Sequence, residues 1–371
     1  MTFSILHTEA SLGWGGQEIR IFQEAIGMRK RGHNFIIAAQ PESKLLGYAK
    51  KEGFKTISIE FKKRYFLSIM LFLKKIIEKE KIDIVNTHSS KDSWLSLPAA
   101  RIAGNKPLVL RTRHLSTRIH GGIMSRFLYN HLPHFVITTG EAIRRQMIEE
   151  NGFNADKIIS IPTGIDVDIF NPEYIHNDIR EELKLERSTP LIGSVSVIRS
   201  WKGLDYLIKA VPLILKEIPE VRFIIAGDGP YKKILLKTMK ETGVRDKVYL
   251  LEHREDTSSV FNSIDILVHP SYANEGVSQT ILQAMAMKKP VIASDIPPLK
   301  EVVIENETGI LTPVKDPENI ASAVIRLLRD KKLSKQLGEN GRRLVASSYS
   351  LNGMLNNIES IYKKSLNQKN G

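Results

Sequence analysis

In the stretch YANEGVSQTILQAMAMKKPVIAS (272–294), Glu275 and Gln283 stand eight residues apart, an acid at the mouth of an apolar run and an amide in its middle. Val277, Ile281, Leu282, Ala284, Met285 and Ala286 recur at helical spacing, which predicts a helix from Gly276 to Lys288, and PVIAS behind it reads as a short buried strand. Eight residues of helix rise about 12 Å. Glu275 and Gln283 would then mark two points on one element, a spacing that suits an elongated ligand. The plainer alternative is that Glu275 answers the helix dipole and Gln283 bonds the backbone.

Other loops carry groups of the same usefulness. TEASLGWGGQEIR (8–20) follows a strand-like run and places Gly13, Gly15 and Gly16 before a helix that opens near Gln17, where glycines let backbone amides approach a phosphate. SVSVIRSWKGLDYLIKA (194–210) puts Arg199 and Lys202 between a strand and a helix, two cations placed for a diphosphate or, equally, for solvent. RTRHLSTRIHGG (111–122) sets His114 among arginines after another strand, where a lone histidine is more often a structural hydrogen bonder than a catalyst. Neither the first glycine loop nor GDGPYK (227–232) is a G-x-G-x-x-G, and there is no Walker P-loop, so nicotinamide-binding and ATPase readings are disfavoured.

These loops need strands and helices to hold them, and the chain supplies both in alternation. FSILHT, NFIIAA, KTISIE, IDIVNTH, PLVLRTR and HFVITT read as strands of a first half; after the polar, proline-containing IPTGIDVDIFNPEYIHND the rhythm restarts with LIGSVSV, VRFIIAG, KVYLLEH, DILVHPS and PVIAS. The pattern predicts two doubly wound α/β domains, 1–170 and 186–351, with the last amphipathic helix, 352–371, packing back on the first. Ligands of such sheets sit beyond the carboxyl ends of the strands. Two facing lobes would make that place a cleft.

At 371 residues, 42% hydrophobic and 26% charged, the chain has room for two cores, and its lack of cysteine excludes disulfides and thiolate chemistry. No signal peptide and no membrane span are read, which points to the cytoplasm. Of a net charge of +13, about +9 falls within residues 1–170, with clusters at KKR (62–64) and RTRH (111–114). Such an excess seeks anions. No nucleic-acid-binding motif accompanies it, which leaves phosphorylated substrate or an anionic membrane surface. FKKRYFLSIMLFLKKIIEKEK (61–81) places Lys62, Lys63 and Arg64 beside apolar residues, although a helix burying Ile69, Leu73 and Ile76 would also explain the stripe.

Taken in order, the glycine loop, His114, PTGIDVDIF, WKGLDYLIKA, IIAGDGP, HPSYANEG, LQAMAMKKPVIAS, KEVV and ETGILTP resemble the retaining glycosyltransferases of family 4, across nearly the whole chain. The resemblance implies the GT-B fold, two facing Rossmann-like domains with a nucleoside diphosphate sugar on the second and an acceptor on the first. It implies Lys202 as a diphosphate ligand, Glu275 as the donor-sugar contact, and Gly276 and Val277 as helix N-terminal amides. Gly15 and Gly16 would face the same phosphates, and His114 would lie near the transferring sugar. Two positions depart from the family. Val197 stands where an arginine is usual, so either Arg199 substitutes from a shifted place or the site has one cation fewer, and Gln283 stands where a second glutamate binds the ribose hydroxyls.

The implied reaction moves a hexose-type sugar to a glycan or glycolipid in cell-surface polysaccharide or lipopolysaccharide synthesis. A sugar-nucleotide 2-epimerase, which would need first-lobe carboxylates, and a non-catalytic sugar or lipid binder are the alternatives. Asp166-Val167-Asp168 formally matches an Asp-x-Asp metal motif but belongs to the interlobe turn, and the fold neutralises leaving diphosphate with basic residues and helix dipoles, so no metal or other cofactor is expected.

Overall fold

A computed structural model describes residues 2–119, 121–174 and 177–370, and the chain divides into two compact units, 1–163 with 352–371, and 164–351. Among the described residues the first unit holds seven parallel strands, β1 (Ser4–Glu9), β2 (Asn34–Ala39), β3 (Lys55–Ser58), β4 (Ile84–Thr87), β5 (Leu108–Arg113), β6 (Phe135–Thr138) and β7 (Ile158–Ser160), in the order β3-β2-β1-β4-β5-β6-β7. The second holds six, β8 (Leu191–Val195), β9 (Arg222–Ala226), β10 (Val248–Leu250), β11 (Ile266–His269), β12 (Val291–Ser294) and β13 (Gly309–Thr312), in the order β10-β9-β8-β11-β12-β13. Both are doubly wound, with the strand order turning at β1/β4 and at β8/β11.

The strands are near-continuous apolar runs because both faces of each sheet are covered by helices. In β9, Phe223 and Ile225 enter one core with Ile192 of β8, while Ile224 and Ala226 enter the opposite core with Leu191. In β1 the same alternation sends Leu6 to one face and Ile5 and His7 to the other. That second face is where helix Gly16–Lys30 and helix Leu351–Asn370 pack, so closely that a Cβ on Gly27 would lie 2.3 Å from Leu355 Cδ1.

The unit boundary falls earlier than the sequence rhythm suggests. Ile165 forms a parallel bridge with Ser350, Phe170 and Ile179 are buried in the second core, and Arg342 donates to the carbonyls of Phe170 (2.5 Å) and Val167 (3.3 Å). The turn and much of the stretch up to 185 therefore belong to the second unit; 175 and 176 lie outside the described residues.

Candidate functional site

In the second unit, β8 and β11 are neighbours at the turning point of the strand order, the place where open α/β sheets bind ligands. After β8 the chain makes a single 3-10 turn, Ser200–Lys202, and then Gly203 at φ +67°. A Cβ on Gly203 would sit 2.1 Å from the carbonyl oxygen of Pro270, so only glycine lets the loops after β8 and β11 touch. Tyr272 N–H donates to Trp201 O (2.9 Å) and ties the loops together, with Ser271 Oγ 3.1 Å from the same oxygen.

This contact brings Lys202 Nζ to 2.5 Å from Glu275 Oε1, which also accepts from Ser271 Oγ and lies 3.5 Å from His269 Nε2. Glu275 is buried. Burial alone would raise its carboxyl, but the charge of Lys202 and the contact with His269 outweigh that and hold it down at about 2. Burial in turn keeps His269 below the ordinary histidine value, against the pull of Glu275. The pair thus sets an ionised carboxylate, buried, beside the partly exposed Lys202 side chain at the strand ends.

The helix here is shorter than its apolar pattern. It runs Gln279–Ala286 with Ser278 as N-cap, the serine hydroxyl accepting from Ile281 N–H. Gly276 and Val277 lie in the turn before the cap, so they do not supply first-turn amides; Asn274 at φ +57° bends the chain, and the Val277 side chain is drawn into the core. Gln283 is half-buried on the helix and, among the described residues, nothing bonds its side-chain amide. Arg199 is exposed, with its guanidinium 5.3 Å over the Trp201 ring and no ion pair among the described residues, and Val197 is exposed two residues before it.

The first unit has its own strand-end loops. Helix Gly16–Lys30 opens at Gly16, but the Gly15 N–H donates to Glu18 Oε2 (2.8 Å) and the Gly13 N–H to Ser11 Oγ (3.0 Å). The Gly15 amide is therefore already committed to a carboxylate rather than open to a phosphate. Glu9, at the end of β1, is buried and accepts from Ser11 N–H (2.7 Å) and from Gln17. Burial, then the charges of Asp92 and Glu18, push its carboxyl well above the usual range. Asp92 accepts from Thr8 Oγ1 (2.8 Å) and from the amides of His88 (3.0 Å) and Ser89 (2.8 Å), so these two carboxylates brace their own loops.

His114, just after β5, is buried with its Nε2 2.9 Å from His88 Nδ1. His88 Nε2 is in turn 2.8 Å from His7 Nδ1. Sequence reasoning passed over His7 and His88. The readable signal was a histidine at the carboxyl end of each of three apolar runs, β1, β4 and β5, which the topology makes neighbours. Asp166 Oδ1 accepts from the amides of Asp168 (3.0 Å) and Ile169 (3.2 Å), so the Asp-x-Asp acid shapes a turn.

Residues 14–169 match the family model described as Glycosyltransferase Family 4, and residues 176–344 that described as Glycosyl transferases group 1. The chain is a group 1 glycosyltransferase of family 4. This glycosyltransferase is 28% identical over 311 residues, 79% of its own length and 78% of the relative's, to the UDP-Gal:alpha-D-GlcNAc-diphosphoundecaprenol alpha-1,3-galactosyltransferase of Escherichia coli. It is 26% identical over 325 residues, covering 82% and 83%, to the capsular polysaccharide biosynthesis glycosyltransferase CapM of Staphylococcus aureus. Its fold is that of a glycosyltransferase from Rickettsia africae, with a TM-score of 0.87 at 23% identity over 98% and 99% of the two chains. The two parallel-sheet units are those of GT-B glycosyltransferases. Homologues in polysaccharide and glycolipid synthesis are among its relatives.

Proposed function

We propose that this glycosyltransferase transfers a hexose-type sugar, with retention, from a nucleoside diphosphate sugar to a lipid-linked glycan of cell-surface polysaccharide or lipopolysaccharide synthesis. The observation that carries the reading is the Lys202–Glu275 pair at the β8/β11 turning point. Bond breaking leaves charge on the diphosphate, and Lys202 is the group that supplies a positive charge there, assisted by Arg199 once its guanidinium leaves Trp201. Glu275, ionised at all working pH values, accepts hydrogen bonds from sugar hydroxyls, and the free amide of Gln283 takes the ribose. The acceptor hydroxyl attacks on the face the diphosphate leaves, with its proton passing to a phosphate oxygen, so no resident metal is needed. The relatives named above act, by their names, on a diphosphoundecaprenol-linked sugar and in capsule synthesis, which supports the acceptor class.

The acceptor reading extends to a bilayer. Helix Phe66–Lys79 buries Leu73 and Ile77, with Ile69 and Ile76 only half-buried, and leaves Phe66, Leu67, Leu71 and Phe72 exposed. Lys75 and Lys79 are exposed on the same helix, and Lys62 and Arg64 precede it; the side chain of Lys63 lies outside the described residues. An apolar stripe edged by cations fits the headgroup layer of an anionic membrane at its cytoplasmic face. Among the described residues no helix is long and apolar enough to cross a membrane.

The test is a thermal-shift panel of UDP-, GDP-, ADP- and CMP-sugars on the wild type and on Glu275→Ala. A ligand at 100 times its dissociation constant adds about 2.7 kcal/mol of stability. One nucleotide series should stabilise the wild type and lose that effect in the variant; stabilisation by none of them overturns the donor reading.

A further inference from the structure

The three histidines of the first unit continue into the protein. His7 Nε2 lies 3.4 Å from Glu24 Oε1 on helix Gly16–Lys30, within ion-pair reach although the ring is not aligned for a hydrogen bond and this nitrogen has no other partner among the described residues, and the same oxygen accepts from the hydroxyl of Tyr362 (3.1 Å) on helix Leu351–Asn370. His7, Glu24 and Tyr362 are almost wholly shielded from solvent, and His88 and His114 are buried. The row therefore runs His114, His88, His7, Glu24, Tyr362, from a strand-end loop to the back of the domain. Among the described residues no hydrogen bond reaches His114 Nδ1, so the row is open at that end.

We propose that this row is a proton relay in which the protonation state of Glu24 fixes, through His7 and His88, which tautomer His114 presents at the strand ends. A neutral imidazole has one N–H and one lone pair, and each ring here uses opposite nitrogens on its two neighbours, so the rings must point the same way along the row. With Glu24 ionised, His7 Nε2–H faces the carboxylate, His7 Nδ1 accepts from His88 Nε2–H, and His88 Nδ1 accepts from His114 Nε2–H. His114 Nδ1 is then a bare acceptor. With Glu24 protonated, its O–H faces His7 Nε2, every ring proton sits on Nδ1, and His114 Nδ1–H is a donor. The two states differ by one proton. A proton taken up at His114 Nδ1 displaces the Nε2 proton to His88 Nδ1, His88 passes its Nε2 proton to His7 Nδ1, and His7, once its ring turns into line with the carboxylate, passes its own to Glu24. No ring need rest as an imidazolium.

The surroundings suit this use. Burial, with the charge of Arg20 and the neighbouring rings, holds His7 at about 3 and His88 and His114 well below the ordinary value, which keeps the rings neutral. Burial pushes Glu24 up to about 7, with the Arg20 charge and the Tyr362 hydroxyl pulling the other way, so it is the one member that changes charge near neutrality. The charged and titratable groups facing the row are Arg20 on the helix of Glu24, His7 from β1, Tyr362 from the last helix, and Arg113 near His114 at the end of β5. Arg20 is fixed by a 2.9 Å bond to Thr163 Oγ1, and Asp92 fixes the loop of His88 through its amide. Glu24, His7 and His88 are positioning residues for His114, an assignment that stands whatever sugar or acceptor is used.

The experiment is nitrogen-15 NMR of histidine-labelled full-length protein, following the ring nitrogens of His114 from acid to alkaline pH. Assignment comes from His114→Gln, and Glu24→Gln and Tyr362→Phe are measured alongside. The bare and protonated nitrogen signals of His114 should exchange places, without an imidazolium signal, with a midpoint near that of Glu24. That exchange should vanish in Glu24→Gln. In Tyr362→Phe, which removes a bond to the carboxylate and little else, the midpoint should move to higher pH. His114 signals that do not change with pH in the wild type, that titrate to an imidazolium, or that behave identically in Glu24→Gln would overturn the relay.

Discussion

Replacing Lys202 with alanine removes the ammonium 2.5 Å from a buried carboxylate and so should have two separable effects. The first is on stability. Holding Glu275 at about 2, against a reference of 4.5, corresponds to about 3 kcal/mol of favourable interaction at neutral pH. Because the folded value is the lower one, this contribution is complete above pH 4.5 and is lost as pH falls through about 2. Lys202→Ala should forfeit about 3 kcal/mol at pH 7, in line with the cost of orphaning a buried charge. The second effect is on catalysis, where losing one electrostatic stabiliser of the leaving diphosphate should lower turnover by roughly 100-fold. The double variant Lys202→Ala/Glu275→Gln separates them, since an amide needs no counter-charge: stability should return to within about 1 kcal/mol of wild type while turnover stays low. Urea unfolding followed through Trp201, the residue before Lys202, reads the first effect, and release of nucleoside diphosphate from the preferred donor reads the second. Full wild-type turnover in a folded Lys202→Ala protein would refute the role in catalysis. Unchanged unfolding would refute the energetic weight given to the ion pair.

Gln283→Ala should weaken donor binding by roughly 1 to 3 kcal/mol in calorimetry, whereas Gln283→Glu should keep activity within about tenfold; equal affinity of the alanine variant and wild type would leave Gln283 a helix-face amide. Changing Leu67, Leu71 and Phe72 together to serine should leave the fold intact and reduce co-sedimentation with anionic vesicles, and removing Lys62 and Arg64 should cost about 1 kcal/mol of that binding per charge. No binding to anionic vesicles by the wild type counts against docking. Turnover should survive exhaustive chelation of divalent ions, and a loss restored only by added metal would contradict the reading of Asp166 as a turn residue.

Much of this was legible before any coordinates. The doubly wound rhythm came from alternating apolar runs and amphipathic helices, and the loops that meet at β8 and β11 came from glycines and cations at fixed places between them. The strands β7 and β13 were passed over as strands because IIS and GILT are short and lie at sheet edges, where little pattern accumulates. The start of helix Gln279–Ala286 was misplaced because Val277 is apolar for a different reason, filling the core from a turn, and the capping serine was outvoted by the periodicity. The Lys202–Glu275 pairing left no local trace, and the histidine row left only a histidine near the end of each of three apolar runs, without their adjacency. Lys202 and Glu275 are 73 residues apart, and His7 and His88 are 81 apart, so only the strand order brings them together.

The last helix has a consequence for how the chain is made. Met354, Leu355, Ile358 and Tyr362 are buried in the first unit, although they leave the ribosome after the whole of the second. The first unit to be synthesised is thus the last to be completed, waiting with an open face on helix Gly16–Lys30 while the continuous second unit is translated and free to fold. During that interval Glu24 and Gly27 have no cover, so a stalled or prematurely terminated chain would display a finished second unit beside an unfinished first one. A fusion partner placed directly behind residue 370 would be felt in the domain that carries His114, and a trigger-type holdase would find its apolar target near the beginning of the chain rather than at its end.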